Sequence, residues 1–93
     1  MSVDIYPAFK DGNNIEHADD WNPHSTMNLS NMNFFQLADD LGLSVSMTAP
    51  GHIRVKILRA ALKNSIVETR YHEPLKRICA IAEILKVPLI AFA

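Results

Sequence analysis

The stretch Val87-Pro88-Leu89-Ile90-Ala91-Phe92 decides the fold. Read as a strand with Pro88 near its start, it needs a partner, because a lone strand leaves its backbone groups unpaired. The other strand-like stretch lies at the opposite end of the chain. Residues 3–9 alternate, with Val3 and Ile5 on one side, and Pro7 puts this strand at an edge or near a strand end. The simplest solution pairs the two beneath the helices between them. The expected fold class is therefore α+β: a small three-helix domain with a minimal two-stranded sheet joining the N- and C-terminal segments. It forms one domain over residues 1–93, with an all-α arrangement as the alternative.

Three helices follow from apolar spacing. Phe34, Leu37, Ala38 and Leu41 recur at i, i+3, i+4 and i+7 and mark residues 34–41. Asn33 is its expected N-cap, with Gln36 reaching back and Met32 stapled to Leu37. Gly42 suits the left-handed position that ends such a helix, and Leu43 can fold back onto it. The second helix is expected over residues 55–64, with Val55, Leu58, Ala61 and Leu62 buried and Arg54 just before its first turn. The third covers residues 71–86, with Pro74 tolerated in the first turn and Tyr71, Leu75, Ile78, Cys79, Ala82 and Leu85 forming a wide apolar stripe. Residues 10–28 read as an irregular, turn-rich segment pinned by Ile15 and Trp21, and residues 44–52 as a linker with Pro50-Gly51 as a turn.

Charge is segregated about Gly51. Residues 1–50 hold seven acids against one base, and residues 51–93 hold eight bases against three acids, so an overall charge of −1 hides two oppositely charged halves. Such halves either neutralise each other on folding or present a charged face to a partner. Apolar content of 48 % with 20 % charge is that of a folded globule rather than a disordered chain. Cys79 is the only cysteine, so no internal disulfide forms and nothing demands an oxidising compartment. The start lacks the apolar run of a signal peptide, and residues 78–93 are interrupted by Glu83, Lys86 and Pro88 and are too short to cross a bilayer. A cytoplasmic protein without a membrane contact is the expectation.

At Ile5-Tyr6-Pro7, at Asn28-Leu29-Ser30-Asn31-Met32-Asn33 and along the third helix, the chain resembles a loose group of small bacterial proteins without an assigned function. Their Asn-Leu-Ser-Asn-x-Asn segment precedes a short helix ending in Leu-Gly-Leu, as Leu41-Gly42-Leu43 does here. Other members carry a small polar residue after the later glycine, where this chain has His52. The resemblance implies neither an activity nor a site.

Three groups of residues are candidates for binding. Asn28, Ser30, Asn31 and Asn33 gather amide and hydroxyl groups at a helix N-terminus, a place that attracts anions; the same residue types are those that turns and caps require. His17, Asp19, Asp20 and His24 place two imidazoles and two carboxylates within eight residues and are metal-ligand candidates, although the spacing matches no recognised pattern. Lys56, Arg59 and Lys63, with Arg70, Lys76 and Arg77, form a basic face that could follow a phosphate backbone. Against nucleic acid stand a pI near 6.4, no interleaved stacking aromatics and no helix-turn-helix corner.

No catalytic constellation is evident. Cys79 lies on an apolar stripe, where a thiol is an inert small hydrophobe, and a pair with His72 two turns away along one helix is strained. No serine sits in a Gly-x-Ser-x-Gly elbow, and three glycines leave no phosphate-cradling loop. The expected function is a non-catalytic protein–protein interaction or regulatory module without a cofactor. It would act on an unidentified protein partner or form a homodimer through Phe35, Ala80, Ile84 and Phe92. A ligand- or metal-binding domain using residues 10–33 is the alternative, and a nucleic-acid binder the third.

Overall fold

A computed structural model describes residues 2–43, 51–65 and 69–93. The chain runs β1 (Ser2–Asp11), β2 (Asn14–His17), a 3₁₀ turn at Pro23–Ser25, β3 (Met27–Ser30), α1 (Asn31–Asp40), β4 (Gly51–Arg54), α2 (Val55–Asn64), α3 (His72–Leu85) and β5 (Leu89–Phe92). The α+β class holds, and the two terminal strands do pair. The sheet, however, has five strands rather than two, all antiparallel, in the order β2-β1-β5-β4 with β3 also pairing with β1.

β1 is the centre of this arrangement. Ile5 stands opposite both Met27 of β3 and Phe92 of β5, and Ala8 opposite both His17 of β2 and Leu89 of β5. Since a strand has two edges, β2 and β3 share one edge of β1 and β5 occupies the other. Pro7 is thus in a central strand, not at an edge. Asp4 and Ala93 exchange both backbone bonds, at 2.7 and 2.9 Å, so by the antiparallel alternation Tyr6 and Ala8 also direct their backbone groups to β5. Pro7 points the other way, into the gap between β3 and β2. There its carbonyl accepts from Ala18 N–H at 2.9 Å, and no ladder carbonyl is deprived by the missing N–H.

Residues 10–28, expected to be irregular, fold tightly onto β1. Asp11 and Asn14 are paired across the two-residue loop Gly12-Asn13, with Gly12 at φ 61. Positive φ at the first central position alone is the II′ hairpin pattern. Between β2 and β3, the Ser25 hydroxyl lies 2.6 Å from the Asp19 carbonyl oxygen and 2.8 Å from that of Asn22, and Ser25 is fully buried. Trp21 is not the pin expected of it: it is 82 % exposed, and the fastening falls to Ser25 and Asp19.

Two strands pass into helices without a loop. Ser30 and Arg54 both keep extended backbones, and α1 and α2 begin at the next residue. α1 therefore starts three residues before its expected first residue, with Ser30 rather than Asn33 as the cap; the Ser30 hydroxyl accepts from Asn33 N–H at 3.2 Å. Its far end follows expectation. Gly42 at φ 66 donates to Asp39 O and Leu43 N–H to Ala38 O, each at 3.0 Å, with Leu43 packed on the core. α2 covers the expected residues. α3 is one residue shorter at each end and closes on Lys86, which takes the left-handed conformation at φ 58. The linker expected over residues 44–52 lies outside the described residues up to Pro50; Gly51 and His52 belong to β4.

One face of the sheet supplies Val3, Ile5, Leu29, Ile53, Ile90 and Phe92 to a core completed by Phe34 and Leu37 of α1, Leu58 and Leu62 of α2, and Leu75, Ile78 and Ala82 of α3. Phe92 packs on Phe34, ring centroids 5.2 Å apart. It thus completes the monomer interior and is not available to a dimer. The opposite, helix-free face carries a small cluster of Ala8, Leu89 and Ala91 beneath Tyr6 and Ile15. β5 is buried along its whole length because it has strands on both edges and side chains on both faces.

Candidate functional site

Both halves of the chain contribute to the core, yet they do not meet through ion pairs. Among the described residues the two ion pairs, Arg59–Glu83 at 2.6 Å and Lys76–Glu73 at 3.6 Å, both lie within residues 51–93. Arg59 gives its Nε and an Nη to Glu83, which raises the guanidinium pKa and holds the Glu83 carboxyl below its ordinary value.

The residues of the expected basic face are distributed over two clefts and the surface beside them. Arg59 and Lys63 of α2, with Lys76 of α3, line a cleft of about 550 Å³ that also takes in His72. Lys56 belongs to a second cleft of about 750 Å³ at the start of α2, shared with Lys10, His52, Arg54 and Glu83. Arg70 bends over the neighbouring Tyr71, its guanidinium carbon 4.9 Å from the ring centroid, and donates to the phenol oxygen at 2.7 Å. Arg77 is exposed and lines neither cleft.

The second cleft borders the outer edge of β4. Because Asp4 and Ala93 form a hydrogen-bonded pair, Ile90 and Phe92 direct their backbone groups to β4, where Ile53 and Gly51 oppose them. The Val55 N–H to Pro88 O bond at 3.0 Å continues the same alternation. His52 therefore presents its N–H and C=O outward and Arg54 its N–H, the Arg54 carbonyl being taken up by the first turn of α2, and among the described residues no strand pairs with them. Ile57, half-exposed, and Val87 and Pro88 give this cleft apolar wall, while Lys10, Arg54 and Lys56 give it positive charge against Glu83 alone.

The asparagine segment is engaged in the fold. Asn28 sits directly opposite Asp4 and donates to its Oδ1 at 2.7 Å and to Ser2 Oγ at 3.1 Å. Ser30 is the helix cap, Asn33 supplies the capped N–H, and Asn31 opens α1. Of the metal-ligand candidates, His17 accepts from Asp19 N–H at 3.0 Å through Nδ1 and lies 2.6 Å from Thr26 Oγ1 through Nε2. Asp19 is buried and accepts from the Asn22 amide at 2.9 Å, while Asp20 and His24 are exposed. Among the described residues no three His, Cys, Asp or Glu side chains come together as a metal-binding group.

Cys79 is buried between α2 and α3, and that burial pushes its thiol up to about 11. His72 is buried too, at 3 % exposure. Its place in the wall of a basic cleft was readable only in part: it falls three residues before Leu75 and seven before Cys79, on their side of the helix. Among the described residues no helix is long and apolar enough to cross a membrane. No family model, no curated protein and no solved structure matches this chain.

Proposed function

We propose that this domain is a non-catalytic interaction module that takes an extended, acidic segment of another protein along the outer edge of β4. One observation carries the reading: the outward N–H and C=O of His52 and the outward N–H of Arg54 adjoin a cleft with apolar walls and a positive rim. Main-chain pairing at a sheet edge gives affinity, and side chains alternating beside it give specificity. Lys10, Arg54 and Lys56 against a lone Glu83 select acidic side chains, and Ile57, Val87 and Pro88 an apolar one. The buried, high-pKa Cys79 supports a module without nucleophilic chemistry. We take the domain to act in the cytoplasm; its support is a single cysteine with no disulfide to maintain.

The test is titration with an acidic, strand-forming peptide followed by amide NMR. The expected result is a saturable change centred on His52 and Arg54, with slowed exchange of those two amides. Substituting His52→Pro, compared with His52→Ala as the control for the lost imidazole, removes an outward N–H, which edge strands tolerate. It should abolish binding while the remaining spectrum stays native. Unchanged binding by that variant rejects the edge-pairing reading.

A homodimer is the second reading. Of the four residues expected to mediate it, Phe35 is 52 % exposed and Ile84 78 % exposed, whereas Phe92 is in the core and Ala80 is half-buried. Light scattering at increasing concentration tests it, and a constant monomer mass rejects it.

A further inference from the structure

Among the described residues, one buried side-chain polar atom has no hydrogen-bond partner: Nε2 of His72. The other ring nitrogen is committed. Nδ1 lies 2.9 Å from the backbone N of Thr69, which donates to it, and 3.1 Å from Thr69 Oγ1. A nitrogen that accepts from a backbone N–H carries no proton of its own in the neutral ring, so the ring proton sits on Nε2. Among the described residues nothing receives this buried donor of His72, and such orphans call for an explanation.

The surroundings supply one. His72 forms part of the α2–α3 cleft, and the charged groups lining that cleft are Arg59, Lys63 and Lys76. Among the described residues the acids paired with them stand outside the lining: Glu83 holds Arg59, and Glu73 holds Lys76 at 3.6 Å. Lys63 has no ion pair among the described residues. Arg59, Lys63, Lys76 and His72 therefore line one cleft, and among the described residues no Asp or Glu lines it with them.

We propose that the α2–α3 cleft is a phosphate-binding site, in which Arg59, Lys63 and Lys76 hold a phosphate group and His72 donates through Nε2 to one of its oxygens. A tetrahedral dianion offers three terminal oxygens to this many donors, whereas a carboxylate offers two oxygens and one charge. Nε2 has no exposed surface of its own, so the anion enters by displacing a rim side chain. The long stems of Lys63 and Lys76 are the lining groups able to turn aside. The exposed Lys76–Glu73 contact yields at little cost. The site rests on none of the β4 reading, since its three cations and His72 are absent from the other cleft.

The test follows the His72 ring nitrogens by ¹⁵N NMR in the full chain. Inorganic phosphate, O-phosphoserine and acetate are titrated against sodium chloride of equal ionic strength. The expected result is a saturable phosphate-dependent shift of the His72 ring signals, with acetate about tenfold weaker. Lys63→Ala should weaken phosphate by about tenfold, and Lys63→Ala with Lys76→Ala should abolish the shift. Both lysines are on the surface, so these variants keep the fold, which the amide spectrum verifies. Tighter binding of phosphoserine than of inorganic phosphate assigns a phosphate carried on a larger molecule; equal binding assigns the free ion. The proposal is overturned by no shift beyond that in chloride, or by a shift that survives intact in the double variant.

Discussion

Tyr6 and His17 lie face to face on the helix-free side of the sheet, their ring centroids 4.4 Å apart and their planes 3° from parallel. They are diagonal neighbours, since His17 stands opposite Ala8. The stack covers both rings. Burial raises the Tyr6 pKa, with the charges of Asp4 and Glu16 adding to it. Burial also lowers that of His17, against the opposing pull of Asp20, Asp19 and Asp4.

That depression makes stability depend on pH. Below the ordinary imidazole value of about 6.5, the unfolded chain takes up a proton that folded His17 resists. The contribution is complete above that value and declines as pH falls through it. Denaturant unfolding at about pH 8 and about pH 5 should show a drop that is smaller in His17→Gln. An equal drop in both proteins refutes the assignment.

Lys86 sits at φ 58, a conformation that costs a residue with a Cβ and costs glycine nothing. Lys86→Gly should raise the unfolding free energy by roughly 0.5–1 kcal/mol, and Gly42→Ala, at φ 66, should lower it by about 1 kcal/mol. Chemical denaturation of the two variants measures both, and the opposite signs are the discriminating feature.

Ser30→Ala removes the hydroxyl that caps α1 and should cost about 1 kcal/mol. Asn28→Ala takes away only exposed bonds to Ser2 and Asp4 and should stay within about 0.5 kcal/mol. A thermal melt in which Asn28→Ala is the more damaging would reverse the roles assigned to these neighbours.

With its thiol near 11 and no exposed surface, Cys79 should resist alkylation in the native state. At about pH 8 roughly one thiol in a thousand would be ionised even before access is considered. Labelling with iodoacetamide should therefore track unfolding, accelerating steeply at the denaturation midpoint. Rapid modification of the folded protein contradicts the buried placement.

How legible all this was in the sequence varied with the source of each element's stability. α2 was read to the residue because Val55, Leu58 and Leu62 repeat on one side of an otherwise charged helix. The end of α1 was readable for a similarly local reason, Gly42. By contrast, β2, β3 and β4 are four residues each, and Asn14, Glu16, Asn28 and His52 carry no strand preference. Their conformation comes from partners distant in the chain, through pairing with β1 or β5. Pro7 points to an edge by its missing donor alone; the gap between β3 and β2 that accommodates it exists only in the folded sheet. The α2–α3 cleft was legible in part: Arg59, Lys63 and Lys76 belong to the basic face expected from the sequence, but the cleft they line with His72 depends on helix packing.

The last strand of the chain is the middle of the sheet, and this has a bearing on synthesis. Ile5 meets Phe92, so the first strand emerges from the ribosome long before its inner neighbour exists. Until Phe92 has been made, β1 can pair with β2 and β3 alone, and β4 has nothing to lean on. Such long-range closure is slow and leaves an apolar strand edge bare in the interim. Nascent chains arrested before residue 89 should thus be open to proteases and chaperones, and addition of residues 89–92 lets β1 and β4 join one sheet.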